Sequence, residues 1–199
     1  MPLVTINQSV QEGLKKDGII PDVLDDFTPN TLIQIKYPCG KEVSLGASLK
    51  PSETQAEPEI QIMPDGDDSA TYTLVLTDPD APSREDPKWS EFCHWIITDL
   101  KAPTPEAVAA AADEAGTFVK KDQGKTIVEY MGPAPPPKTG KHRYVFLLYK
   151  NGAKSPTEGP KDRKLWGNDT PRTGVKQWAE KNGLTLVGAN YFFARNDVQ

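Results

Sequence analysis

The segment Tyr72-Thr73-Leu74-Val75-Leu76-Thr77-Asp78-Pro79-Asp80-Ala81-Pro82-Ser83-Arg84 decides how this chain folds. Its first six residues carry apolar or β-branched side chains on both alternating faces, which suits a pleated strand. Such a strand is stable only when both faces are covered, so it belongs near the centre of a sheet. The strand then stops at two carboxylates, Asp78 and Asp80, interleaved with Pro79 and followed by Pro82. Two readings of that ending stand side by side. The Asp side chains can cap backbone N–H groups in a stiff structural turn. Alternatively, the prolines fix φ and make a rigid rim that loses little entropy when a ligand orders it.

Working outward, further strand patterns flank this segment. Thr31–Tyr37, Glu42–Leu45, Glu59–Ile62, Phe92–Leu100, Thr126–Met131 and Arg143–Lys150 alternate or run apolar, and Leu184–Val187 leads into Tyr191-Phe192-Phe193. Helical spacing is confined to three places. Val10 and Leu14 lie four apart after a Ser9/Glu12 capping box, predicting a helix over about 9–16. Thr104-Pro105-Glu106 opens an Ala-rich helix toward Lys120-Lys121. Thr170-Pro171 opens another, with Val175, Trp178 and Ala179 on one face and Asn182-Gly183 as its stop. The reading is one strand-dominated domain over residues 1–199 with peripheral helices.

Composition excludes several functions. The 199 residues carry 23 Lys+Arg against 28 Asp+Glu, a formal charge of −5, which argues against a nucleic-acid binder and a polybasic membrane module. No apolar run approaches the ~20 residues that span a bilayer, and no signal peptide is expected at the start. Two cysteines, Cys39 and Cys93, form no CxxC and no disulfide framework, so a reduced cytoplasmic protein is expected.

The rare residues mark where chemistry could sit. The sequence has two histidines, His94 and His142, each inside an apolar strand. A lone histidine there is more often a hydrogen-bonded core residue than a ligand, but both following the pattern is suggestive. A second proline-rich stretch, Gly132-Pro133-Ala134-Pro135-Pro136-Pro137-Lys138, closely precedes His142; it reads as an exposed polyproline segment or as a fixed loop at a strand end. There is no GxSxG, HExxH, P-loop or GxGxxG. Two His and two Asp could ligate a metal, yet binding suits the inventory better: imidazole N–H groups and amides hold phosphate, and Asp holds an ammonium.

Tyr72–Arg84, continued by Lys88-Trp89-Ser90-Glu91-Phe92-Cys93-His94-Trp95, resembles the first signature of the phosphatidylethanolamine-binding protein family. Gly132-Pro133-Ala134-Pro135-Pro136 with Gly140-Lys141-His142-Arg143-Tyr144-Val145-Phe146 resembles the second. Trp89–His94, Glu129–Pro136 and the Ala-rich insert after Asp99 are similar to the fungal branch, the carboxypeptidase Y inhibitors. The resemblance implies a mainly β fold: a large central antiparallel sheet packed against a smaller one, with peripheral α-helices. It also implies an anion pocket lined by Asp78, Asp80, Pro82, Trp89, His94, Pro136, His142 and Tyr144, and cis peptides at Ala81-Pro82 and Ser90-Glu91. Neither a metal nor a cofactor is expected. Ala134 stands where a glycine is frequent, and Pro137-Lys138 where Lys-Gly is usual, so loop and pocket can differ from the family pattern.

Three functions follow for testing. One is non-enzymatic inhibition of a serine carboxypeptidase. Another is capture of phosphate, phosphoethanolamine or a phospholipid head group, including a signalling role toward a kinase-pathway protein. The third is a metal-dependent hydrolase built from Asp78, Asp80, His94 and His142.

Overall fold

The computed structural model describes residues 3–64, 69–104 and 124–198. Among these residues eight strands form two sheets: β1 (Thr31–Lys36), β2 (Ala47–Ser48), β3 (Glu59–Pro64), β4 (Thr71–Asp78), β5 (Phe92–Lys101), β6 (Lys125–Val128), β7 (Lys141–Lys150) and β8 (Thr185–Arg195). β1 and β3 make a two-stranded antiparallel sheet, and the others make a six-stranded sheet in the order β2-β8-β7-β4-β5-β6. The large sheet is antiparallel except at its β2 edge, which runs parallel to β8. This is the mainly β, two-sheet architecture expected, and β4 lies inside the sheet between β5 and β7.

Alternation explains the two layers. Tyr72, Leu74 and Leu76 of β4 face the small sheet and pack with Ile33, Ile35, Ile60 and Ile62. Val75 points the other way, into a second cluster with Val145, Leu147, Leu14 and Trp178. Both faces of β4 are therefore covered, one by sheet and one by helix, and every residue from Tyr72 to Asp78 is buried.

Among the described residues three α-helices lie at the periphery: α1 (Leu3–Lys16), α2 (Ile19–Asp22) and α3 (Gly174–Lys181). Val10 and Leu14 of α1 are buried, and Lys15 and Lys16 occupy its last turn, where they oppose the helix dipole. α3 buries Val175, Trp178 and Ala179, as their spacing predicts, and ends at Gly183 with φ 64°.

Several boundaries differ from expectation. α3 begins at Gly174 and not at Thr170-Pro171, because Arg172 takes φ 61°, a left-handed conformation that no right-handed helix contains. A Cβ on Gly174 would sit 2.5 Å from Trp166 atoms, so glycine permits α3 to pack this closely. Glu42–Leu45 is not a strand. Glu42 makes one isolated bridge with Lys36, Gly46 turns the chain at φ 73°, and Ala47–Ser48 supplies the edge pairing instead. Leu184–Val187 and Tyr191–Phe193 belong to one strand, β8. The Ala-rich helix expected after Pro105 lies outside the described residues.

Candidate functional site

Antiparallel pairing brings the rare residues together. β4 ends where β5 and β7 begin: Asp78 is opposite Phe92, and Thr77 is opposite Val145. The C-terminal carboxylate of β4 thus lies beside the first turns of side chains on its two neighbours, His94 on β5 and His142 and Tyr144 on β7. These residues border a cavity of about 110 Å³. Pro82, Trp89 and Pro136 complete the expected lining, with Ala81, Phe92, Met131, Gly132 and Ala134 added to it. Peptide bonds Ala81–Pro82 and Ser90–Glu91 are cis, as is Ile20–Pro21.

The two histidines are held differently. His142 is 1 % exposed, and both of its nitrogens are engaged. Its Nδ1 lies 2.9 Å from Asp78 Oδ2, and its Nε2 lies 2.9 Å from Thr139 Oγ1, whose hydroxyl donates to Pro136 O at 2.8 Å. Asp78 Oδ1 in turn accepts the Asp80 N–H at 2.7 Å. His94 has one fixed nitrogen: Nδ1 donates to Met131 O at 2.7 Å, because a carbonyl can only accept. Its Nε2 is therefore the imidazole nitrogen left for a ligand. Burial pushes the His94 imidazole below its ordinary value, against the opposing pull of Asp78 and the Met131 carbonyl. Tyr144 joins the two rings, stacking on His142 with centroids 6.4 Å apart and meeting His94 edge-on at 5.2 Å. Burial, followed by the Asp78 charge, pushes its phenol well above the ordinary value.

Asp80 does not line the cavity. It is fully buried on the other side of the turn and is gripped by Arg143: Nε to Oδ2 at 2.9 Å, Nη2 to Oδ1 at 2.6 Å, and the Arg143 N–H to Oδ2 at 2.9 Å. Arg143 also donates to Asp22 Oδ2 and Gly18 O, tying β7 to α2. Burial works against the Arg143 charge, but Asp80 and Asp22 outweigh it and raise the guanidinium further. The two Asp readings thus divide: Asp78 faces the cavity, whereas Asp80 neutralises a buried cation. Arg143 carried a signal in the sequence, since a charged residue inside an apolar strand needs a carboxylate partner.

The walls are fixed. Gln55 Nε2 donates to Pro133 O at 2.8 Å, and Asn196 Nδ2 donates to Pro135 O at 3.0 Å. The Lys138 N–H donates to Val198 O at 3.0 Å. The second proline-rich stretch is therefore a braced loop and not an exposed linker. Gly132 is required in it, since a Cβ would approach Gln55 atoms to 2.8–2.9 Å. At the mouth, the Lys164 ammonium sits 4.2 Å from the centroid of Trp89, which places a cation beside the entrance. Lys164 and Thr139 were not singled out from sequence; only the tertiary pairing of Phe92 with Lys164 brings that lysine here.

Among the described residues the lining has no Ser, Thr, Cys or Lys. Among the described residues, no group of three or more His, Cys, Asp or Glu is placed to hold a metal ion. The arrangement can orient a small charged group between His94, Tyr144 and the aromatic walls.

A family model described as phosphatidylethanolamine-binding protein matches residues 24–192. The chain belongs to the phosphatidylethanolamine-binding protein family. It is 40% identical to the carboxypeptidase Y inhibitor of Saccharomyces cerevisiae, covering 94% of this chain and 95% of that protein. Its fold matches a crystal structure of carboxypeptidase Y inhibitor complexed with the cognate proteinase, with a TM-score of 0.85, 37% identity and 98% of both chains covered. It also matches a phosphatidylethanolamine-binding protein from Plasmodium vivax, with a TM-score of 0.73 and 25% identity over 94% of this chain and 98% of that one. In this family member the cavity lies at one end of the large sheet, between strand ends and two proline-braced loops. No helix among the described residues is long and apolar enough to cross a membrane.

Proposed function

We propose that this protein is a non-enzymatic inhibitor of a serine carboxypeptidase of the carboxypeptidase Y type, with a cavity that holds a phosphate or phosphoethanolamine-type group. The observation that carries the reading is the end-to-end similarity to an inhibitor whose structure was solved on its proteinase. The cavity supports the non-enzymatic half. Among the described residues its lining holds no Ser, Thr or Cys, and His142 is committed through both ring nitrogens. A free buried Cys93 and a free exposed Cys39 support a reducing, cytoplasmic setting.

Titration of the purified protein into carboxypeptidase Y tests the first half; loss of peptidase activity with a saturable dose dependence is expected, and undiminished activity at micromolar protein rejects it. Calorimetry with phosphoethanolamine and inorganic phosphate tests the second half. If substitution of His94 leaves affinity unaltered, the cavity is not the site.

A further inference from the structure

A second charged site lies across the sheet from the cavity. Lys141 and Arg195 are directly opposite one another on β7 and β8, an arrangement in which like charges destabilise the pair. Ser48 is opposite Phe193 on the neighbouring β2, and the Leu49 N–H continues the pairing to Phe193 O. Lys50 follows in extended conformation and lines the same groove as Lys141 and Arg195. Three cations are thus set abreast on adjacent segments of the sheet edge. At ~4.8 Å per strand spacing, the row spans about 10 Å. The groove they border has a volume of about 330 Å³.

Among the described residues the three cations outnumber the carboxylates of the groove. Arg195 has no ion pair among the described residues, and the Lys141 ammonium donates only to Ser48 Oγ, at 3.2 Å, while lying 5.7 Å over the Phe193 ring. Among the described residues Asp197 is the one carboxylate in the lining; the nearby Glu53 is turned to the Lys50 N–H and toward Lys41. Lys141 precedes His142 on the strand, so their side chains point to opposite faces of the sheet. Like charges held side by side on an otherwise acidic chain, with Lys141 over Phe193, favour an anionic occupant.

We infer that the Lys50–Arg195–Lys141 row is a second ligand site, for a compact polyanion bearing two or three phosphates on one small ring or chain. The row is too short for an extended nucleic acid, and the chain's net charge of −5 repels one. Ser48 Oγ accepts from Lys141 and keeps its own proton to donate to a phosphate oxygen.

Calorimetric titration of the full chain with inositol trisphosphate at low salt tests the site. A saturable heat that weakens with added salt is expected. The Lys141→Ser/Arg195→Ser double variant should lose at least tenfold in affinity while its ligand-free melting temperature stays the same or rises, because the facing charges are gone. A Lys50→Ser variant, remote from the β7–β8 pairing, should lose affinity in the same direction. Co-sedimentation with phosphatidylcholine vesicles containing phosphatidylinositol bisphosphate, absent with phosphatidylcholine alone, would identify a lipid head group as the source; binding of the free phosphate compound alone would identify a soluble one. No saturable heat, or equal affinity in wild type and both variants, overturns the assignment.

Discussion

Replacing Glu91 with Gln should make the protein more stable in neutral and mildly alkaline solution and flatten its dependence on pH. Glu91 is fully buried between β4 and α3, and its Oε1 has no hydrogen-bond partner. Its Oε2 lies 3.1 Å from Thr77 Oγ1, which also accepts the Trp166 Nε1–H at 3.1 Å and lies 3.2 Å from Phe92 O. A threonine hydroxyl has one proton, and it cannot serve both the Phe92 carbonyl and a carboxylate. All the partners are satisfied when Glu91 itself carries a proton and donates it to Thr77. Burial pushes the Glu91 carboxyl up to about 8, against the smaller opposing pull of Thr77 and the Val175 amide. The folded state then holds a proton that the unfolded chain releases near pH 4.5. This stabilising proton is fully effective below that value and is lost as pH rises toward 8. The full difference amounts to roughly 5 kcal/mol, of which ~3 kcal/mol is already lost at pH 7. Urea unfolding of wild type and Glu91→Gln between pH 5 and 8.5 isolates this group, since the other titrations cancel in the difference. The variant should gain about 4 kcal/mol on wild type across that range. Parallel pH profiles would show that Glu91 is ionised in the fold and would refute the reasoning.

Three further outcomes follow from the site. Asp80→Asn should destabilise the protein by ~3 kcal/mol, because it leaves Arg143 buried without its carboxylate, yet it should leave phosphate affinity within a few-fold of wild type by calorimetry. His142→Ala should both destabilise, by ~3 kcal/mol in denaturant unfolding, and weaken phosphate binding at least tenfold, since Asp78 then faces the cavity uncompensated. Phosphate binding should tighten as pH falls: the free protein holds His94 neutral with Nδ1–H on Met131, so an anion at Nε2 must bring or recruit a proton. A His94→Asn variant should lose that pH dependence, and an affinity constant from pH 5.5 to 8 in wild type would contradict the tautomer.

Much of this molecule was legible in its residues. The double-sided apolar run of β4 announced an interior strand, and the motifs around Asp78, His94 and His142 pointed to the cavity at its end. Arg143 shows what was missed. Its guanidinium partner Asp80 lies 63 residues away, and only antiparallel pairing of β4 with β7 brings them together. Asp78 and Asp80 look equivalent in sequence, but the turn between them sends one carboxylate into the cavity and the other into the core. Arg172 shows a different limit: Thr170-Pro171 is a good helix start by local preference, and a left-handed residue two positions later overrides it.

By itself the sequence determined what is local: alternation that buries both faces of β4, the proline-stiffened ends, and the helix stop at Gly183. It also determined the supply of charge and of rare imidazoles. The tertiary structure alone decided which charge each group meets. Thr139 caps His142, Lys164 stands over Trp89, and Lys50, Arg195 and Lys141 line up across three chain segments. The physical reason is range: backbone preference acts over a few residues, whereas an electrostatic or hydrogen-bond partner is chosen by strand register, which joins segments far apart in the chain.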